Sequence, residues 1–209
     1  MRTIFTHDWK RPDRLVILAS RSPRRSALLK QMGMSFKTAD PAVDSEEEYL
    51  DVKDVRRSVR DLARAKARSV SAAYPEALVL GADTVVVHEG AILGKPQSKA
   101  RALEMLEALS GKPHAVVSGV ALVCEACGFA LTAAEITTVC FRELTRQEIA
   151  EYLAENDYFD KAGAYGIQGS AMVFVQKIDG CYYNVVGLPV AKTISLFNAY
   201  VTRKDADNV

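Results

Sequence analysis

The chain has 209 residues, 49% of them hydrophobic and 25% charged, enough to bury a full core in one or two lobes and too apolar for a disordered or low-complexity protein. Lys and Arg number 27 against 26 Asp and Glu, a net charge of +1, so no global field draws nucleic acid or an anionic membrane, and any anion site has to be local. Four cysteines in a chain this long make no disulfide framework and fit a reducing compartment as free thiols; with a polar start and no apolar run of membrane-spanning length, the expected location is cytoplasmic.

Residues 15–19 form a short apolar run that reads as a buried strand, followed by Ser20-Arg21-Ser22-Pro23-Arg24-Arg25, where a helix is expected to start. Ser22 stands at its N-cap with Pro23 first in the helix, Leu28, Leu29 and Met32 give it an apolar face, and Gly33 falls where a C-terminal cap belongs. A second strand is predicted over 36–39 and an acidic loop over 44–51. The positions Val52, Val55, Val59, Leu62, Ala63 and Val70 recur at helical spacing and predict a long amphipathic helix over 52–73. Residues 77–80 read as a short strand ending at Gly81-Ala82-Asp83, with 84–87 resuming a strand before a turn at Glu89-Gly90.

A helix is expected over 98–109, closed by Gly111, and then a hairpin of two long strands, 115–124 and 129–141, around Glu125-Ala126. Thr145 and Glu148 form a capping box for a helix through Ala154. The glycine-rich run 160–169 reads as a functional loop. Asp179-Gly180 reads as the turn of a second hairpin between 172–178 and 181–186, and Pro189 as the start of a final helix. Two such hairpins exclude an all-parallel sheet, so the expected class is α/β with a mixed β-sheet.

Ser20, Ser22, Arg21, Arg24 and Arg25 put two hydroxyls and three guanidinium groups at a helix start, where unpaired N–H groups and the dipole favour a phosphate. The bland alternative is a capped helix with solvated arginines. No Walker or dinucleotide glycine pattern accompanies them. Asp83, beside Gly81, can hold a metal, take a proton or satisfy a turn, and with the acidic 44–48 stretch it can share a divalent cation. Lys66 lies between alanines; Gly94-Lys95-Pro96 and Lys161-Ala162-Gly163 place a glycine near each lysine, which lets a ligand approach the backbone while the ammonium meets an anion. Cys124 and Cys127 lack a second cysteine pair at ligand spacing, so zinc or redox chemistry is not expected of them. His88 and His114 have no nucleophile motif beside them and read as structural or solvated. The basic run Arg56, Arg57, Arg60, Arg64, Lys66 and Arg68 is interleaved with Asp54 and Asp61 and reads mostly as the wet face of a helix.

Taken in order, Leu18-Ala19-Ser20-Arg21-Ser22-Pro23-Arg24-Arg25, Leu62-Ala63 with Lys66-Ala67, Gly81-Ala82-Asp83-Thr84, Gly94-Lys95-Pro96, Leu109-Ser110-Gly111 and the run 160–169 resemble the Maf family of nucleoside triphosphate pyrophosphatases, over roughly residues 15–196. The resemblance implies a mixed-sheet, two-lobed fold of the inosine triphosphate pyrophosphatase kind with a central cleft. It implies a single catalytic domain over 14–200, an N-terminal extension over 1–13 and a C-terminal tail over 201–209. It also implies hydrolysis of a nucleotide between its α and β phosphates, with Asp83 as proton acceptor and Arg24, Thr84 and Gln168 at positions that separate specificity groups. These three match the dTTP/UTP branch; the 7-methyl-GTP branch carries tryptophan, glutamine and glutamate there. A glutamine amide both donates and accepts, as the edge of uracil or thymine requires.

Around the triphosphate the resemblance leads us to expect Ser20, Ser22, Arg25, Lys66, Lys95 and Lys161, with Asp83 and Asp44 on a divalent cation, Mg²⁺, Mn²⁺ or Co²⁺. Family members often carry two adjacent acidic residues in the second loop; here Asp44 is followed by Ser45, and Glu46 comes one place later. The expected partner is a nucleoside triphosphate, with no stable nucleic acid and no membrane, and the resemblance is compatible with a homodimer. The family's links to septum formation and division arrest leave a non-catalytic nucleotide- or nucleic-acid-binding regulator as the alternative from another class.

Overall fold

The computed structural model describes residues 12–155 and 158–207. One sheet organises them, in the order β2-β1-β3-β5-β6-β7 with β4 paired to β3. Strand β1 (Val16–Ala19) lies parallel to β2 (Lys37–Ala39) and β3 (Leu78–His88). Strands β4 (Ala91–Leu93), β5 (Pro113–Cys124), β6 (Phe129–Phe141) and β7 (Val175–Asp179) join antiparallel, so the sheet is mixed, as expected.

Helix α1 (Pro23–Gln31) follows β1 directly and ends at Gly33, whose φ of +76° is a conformation glycine adopts without strain. It packs with α6 (Val190–Asp207) on one face of the sheet, where Leu28, Leu29, Leu196 and Phe197 meet Leu80 and Leu122. Helix α2 (Val55–Ser71) covers the other face. It lies close because the strands beneath it present glycine: a Cβ on Gly81 would fall 2.1 Å from the Ala63 carbonyl, and one on Gly119 2.1 Å from that of Val59.

The long strands β3, β5 and β6 serve two cores. Their first lobe is the one under α1 and α6; the second gathers Val86, Val116, Val139 and Phe141 with α3 (Lys99–Leu109), α4 (Arg146–Ala154) and the aromatic rings of Tyr152, Tyr158, Tyr165 and Phe174. Thr145 and Glu148 make the expected reciprocal cap of α4. No helix among the described residues is long and apolar enough to cross a membrane.

Several local expectations are corrected. Strand β3 runs unbroken through Gly81-Ala82-Asp83, since β5 pairs with it residue for residue from Val79 to Val87, so Asp83 lies mid-strand. Strand β4 was not anticipated. Helix α2 starts at Val55, where the Asp54 carboxylate accepts from the Arg57 N–H; residues 52–54 form a separate 3-10 turn capped by Asp51. The second hairpin is absent: the segment before β7 is a 3-10 turn, Ser170–Phe174, and the one after it is helix α5 (Tyr182–Val186). The valines of α5 favour a strand, but the Asn184 side chain donates to Val116 O (2.9 Å) and Thr137 Oγ1 (3.0 Å), which holds the segment across the sheet as a helix. Ser22 occupies the N-cap of α1 without a side-chain cap bond; its N–H donates instead to Ser20 Oγ. Residues 1–11 of the expected extension lie outside the described residues, and residues 201–207 of the expected tail continue α6.

In the second lobe His114 is 3% exposed, its Nε2 2.7 Å from Tyr165 OH. Burial, with His88 nearby, pushes its pKa down to about 4 from 6.5. The unfolded chain binds this proton near pH 6.5 and the folded one only near 4, so stability falls as the pH drops through that window. The loss by pH 4.5 is about 2.5 kcal/mol. In urea unfolding, the stability gap between the wild type and His114→Gln, which does not titrate, is expected to shift against the wild type by that amount between pH 8 and 4.5. A constant gap would contradict it.

Candidate active site

Strand β1 pairs with β3 only as far as Ala19 opposite Gly81, and β4 joins β3 only from Val86. Between them the edge of β3 over 82–85 faces no strand among the described residues. A cleft opens in that gap, beyond the carboxyl end of β1, the usual location of ligands in α/β sheets. The pleat of β3 sends Asp83 towards α2 and Thr84 towards α1, and both line the cleft.

Asp83 is 8% exposed and accepts a hydrogen bond from Lys66 Nζ at 2.7 Å. The same ammonium lies 2.9 Å from Glu46 Oε1. Glu46 opens a short 3-10 turn, Glu46–Tyr49, entered through Ser45 in the left-handed region at φ 50°. That reversal turns Glu46 into the cleft and leaves Asp44 exposed and outside its lining. The second carboxylate beside Asp83 is therefore Glu46, in place of the expected Asp44.

On the α1 side, Arg25 is fixed by three hydrogen bonds, to Gly187 O (2.8 Å), Ser20 Oγ (3.1 Å) and Thr84 Oγ1 (3.2 Å). These engage three of its five donors. Burial pulls the Arg25 pKa down, and the Asp83 charge opposes that pull. Thr84 Oγ1 is also 2.8 Å from Ser118 Oγ, so its hydroxyl is spent on the protein's own groups. Across the mouth, Arg24 and Lys161 both donate to Asp160, at 2.9 and 2.8 Å. Burial raises the Asp160 pKa, but these two bonds outweigh it and leave the carboxyl below its usual value. The Lys161 stem crosses Gly166, where a Cβ would come within 2.7 Å of its Cε, and this is the close approach that glycine permits.

Ser20, Ser22, Arg24, Arg25, Lys66, Asp83, Thr84, Lys95, Lys161 and Gln168 thus converge on one cleft, drawn from segments far apart in sequence, and only Asp44 stands apart. Six basic side chains line it, Arg21 included, against three carboxylates, Glu46, Asp83 and Asp160, an excess that a chain of net charge +1 concentrates here. Sequence reasoning gave no role to Asp160, although it heads the glycine-rich run, and none to Ser118 or Asn184, whose partners are fixed only by the tertiary fold. Cys124 and Cys127 lie at the β5–β6 turn as free thiols.

Fold and cleft together define a mixed α/β protein with a cation-lined cleft built around a pair of carboxylates. The chain belongs to the family described as Maf-like protein, whose model matches residues 15–200. It is 48% identical over 185 residues to a dTTP/UTP pyrophosphatase of Symbiobacterium thermophilum, covering 88% of this chain and 93% of that one. A protein of the same name from Geobacillus sp. is 45% identical over 179 residues, 86% of this chain and 94% of its own. One from Moorella thermoacetica is 48% identical over 181 residues, with 87% and 92% covered. Among solved structures, a HAM1 protein from Coxiella burnetii matches 63% of this chain and 74% of its own at 16% identity with a TM-score of 0.38, too slight a likeness to argue from.

Proposed function

We propose that this protein is a cytoplasmic nucleoside triphosphate pyrophosphatase that hydrolyses dTTP and UTP to the monophosphate and pyrophosphate with the help of a divalent cation. The names of its relatives support the substrates. The observation that carries the chemistry is Asp83 in the gap of β3, facing Lys66 and Glu46 and rimmed by cations.

The donor set fits a hard divalent cation. Asp83 Oδ1 and Glu46 Oε1 already flank one positive charge, the Lys66 ammonium, and Mg²⁺ is commonly held by one or two carboxylates together with substrate phosphates. Among the described residues no three of His, Cys, Asp and Glu gather as a protein-only metal cage, which agrees with a site completed by substrate. When bound there, the cation offsets the charge that develops as pyrophosphate leaves.

The protein's own groups do the rest. Ser20, Ser22 and the first turn of α1 offer hydroxyl and N–H donors to phosphate oxygens, with Arg25 held behind them and Lys95 and Lys161 on the rim. Asp83 orients and deprotonates the attacking water. Gln168 presents its amide to the pyrimidine edge, and Arg24, steadied by Asp160, closes the mouth beside it. Thr84 acts on specificity through the position of Arg25, because its hydroxyl is already engaged.

The test is a pyrophosphate-release assay over UTP, dTTP, CTP, GTP, ATP and 7-methyl-GTP, with Mg²⁺, with Mn²⁺ and with a chelator. UTP and dTTP are expected to exceed 7-methyl-GTP in kcat/KM by at least about tenfold, with no turnover in chelator, and Gln168→Glu to lower kcat/KM for UTP by about tenfold or more. Preference for 7-methyl-GTP would overturn the pyrimidine assignment, and absence of turnover on every nucleotide would overturn the enzyme.

A further inference from the structure

Lys66 is 6% exposed, and its ammonium lies 2.7 Å from Asp83 Oδ1 and 2.9 Å from Glu46 Oε1. These are the carboxylates assigned above to the divalent cation. Mg²⁺ binds carboxylate oxygens at about 2.0–2.1 Å, so a cation held by these same two oxygens, Asp83 Oδ1 and Glu46 Oε1, would stand where the ammonium now stands. A dication and an ammonium cannot share that space, because their repulsion is little screened in a site so withdrawn from water.

We propose that Lys66 is a resident counter-ion with which the divalent metal exchanges, and that the displaced ammonium becomes a ligand of the substrate's phosphate. Metal and triphosphate then bind with positive coupling. The free protein holds metal weakly, because the carboxylates are already neutralised; a triphosphate that draws the ammonium away frees them, and the metal favours the triphosphate to the same degree.

The surroundings of Lys66 make the exchange a side-chain movement. The backbone of α2 is fixed on the sheet at this point, since a Cβ on Gly81 would meet Ala63 O at 2.1 Å and Ala67 N at 2.8 Å. The lysine stem has four rotatable carbons and a compact charged head, suited to turning about a fixed root. The neighbouring arginines are engaged away from these two carboxylates: Arg25 bonds Gly187, Ser20 and Thr84, and Arg24 pairs with Asp160. Ser20, 6% exposed, and the start of α1 line the same cleft and supply the phosphate position towards which the ammonium turns.

The inference rests on Asp83 and Glu46 being the metal's donors, and its test separates the two. Mn²⁺ is titrated into the full-length protein without nucleotide, and unbound Mn²⁺ is followed by electron paramagnetic resonance, for the wild type, Lys66→Gln and Lys95→Gln. Lys66→Gln is expected to bind Mn²⁺ at least about tenfold tighter than the wild type, within the usual range of site coupling. Lys95→Gln, which removes a cation lining the same cleft but touching neither carboxylate, is expected to stay within about threefold of it. Lys66→Met gives a second reading if the glutamine variant does not fold.

Adding an α,β-methylene analogue of UTP is expected to tighten Mn²⁺ binding by the wild type, and by a smaller factor in Lys66→Gln. Equal Mn²⁺ affinity in the wild type and Lys66→Gln, with Mn²⁺ bound by both, would overturn the exchange while leaving the metal site in place. Absence of Mn²⁺ binding in every variant, with or without the analogue, would overturn the metal assignment and the exchange with it. A gain in Lys66→Gln with no response to the analogue would support exchange at the carboxylates and overturn the transfer of the ammonium to the triphosphate.

Discussion

Asp83→Asn is expected to lower kcat for UTP by at least about two orders of magnitude, the scale of a lost general base, with KM changed far less. The asparagine carbonyl can still accept from Lys66 Nζ, and Glu46 remains on the same ammonium, so the variant is not left with a buried unpaired charge. Its melting temperature is therefore expected to stay within a few degrees of the wild type, which steady-state kinetics and a thermal melt on one preparation can check. A folded variant with full turnover would remove Asp83 from the chemistry.

Gly119→Ala is expected to be the most destabilising single-methyl change in the sheet. Gly119 is the β5 partner of Asp83 and sits under α2, where a Cβ would fall 2.1 Å from Val59 O, 2.3 Å from Val59 C and 2.7 Å from Arg60 N. All three are backbone atoms of a helix packed along its length, so no side chain can swing aside and the helix has to lift. The expected loss is about 3 kcal/mol or more, a fall in melting temperature of roughly 6–12 °C for a chain this size. Because α2 carries Lys66, residual folded protein is expected to lose activity as well. A melting temperature within 1 °C of the wild type would contradict the close packing of α2 on β3 and β5.

What was legible in the sequence is local. The run into Ser20, the proline at the head of α1, the left-handed glycine after it and the Thr145–Glu148 box each depend on a few neighbouring residues, and each forms where expected. The larger failures involve partners distant in the chain, whereas the shifted start of α2 and the absent Ser22 cap bond are decided by near neighbours. Gly81-Ala82-Asp83 looks like the end of a strand because glycine and aspartate are poor strand formers, yet pairing with β5 carries β3 straight through them. The gap that makes Asp83 accessible comes from where β1 stops and β4 begins, which no residue of β3 records.

The same limit applies to α5. Its valines carry a strand signal, and only the reach of Asn184 to Val116 and Thr137 decides for a helix. In the cleft, ten of the eleven residues expected at the site meet, because chemistry-bearing residues beside glycine, proline or a helix start advertise themselves one motif at a time. The exception turns on one dihedral angle: Ser45 at φ 50° swings the chain so that Glu46, and not Asp44, faces Lys66.

The most direct measurement is a crystal structure of Asp83→Asn soaked with UTP and Mg²⁺. The expected density places the triphosphate along Ser20, Ser22 and the start of α1, the α-phosphorus next to residue 83, the base against Gln168, and the Mg²⁺ on Glu46 with Lys66 turned onto a phosphate oxygen. Nucleotide bound with its triphosphate away from residue 83, or with the base at the Glu46 end of the cleft, would contradict the assignment of this site.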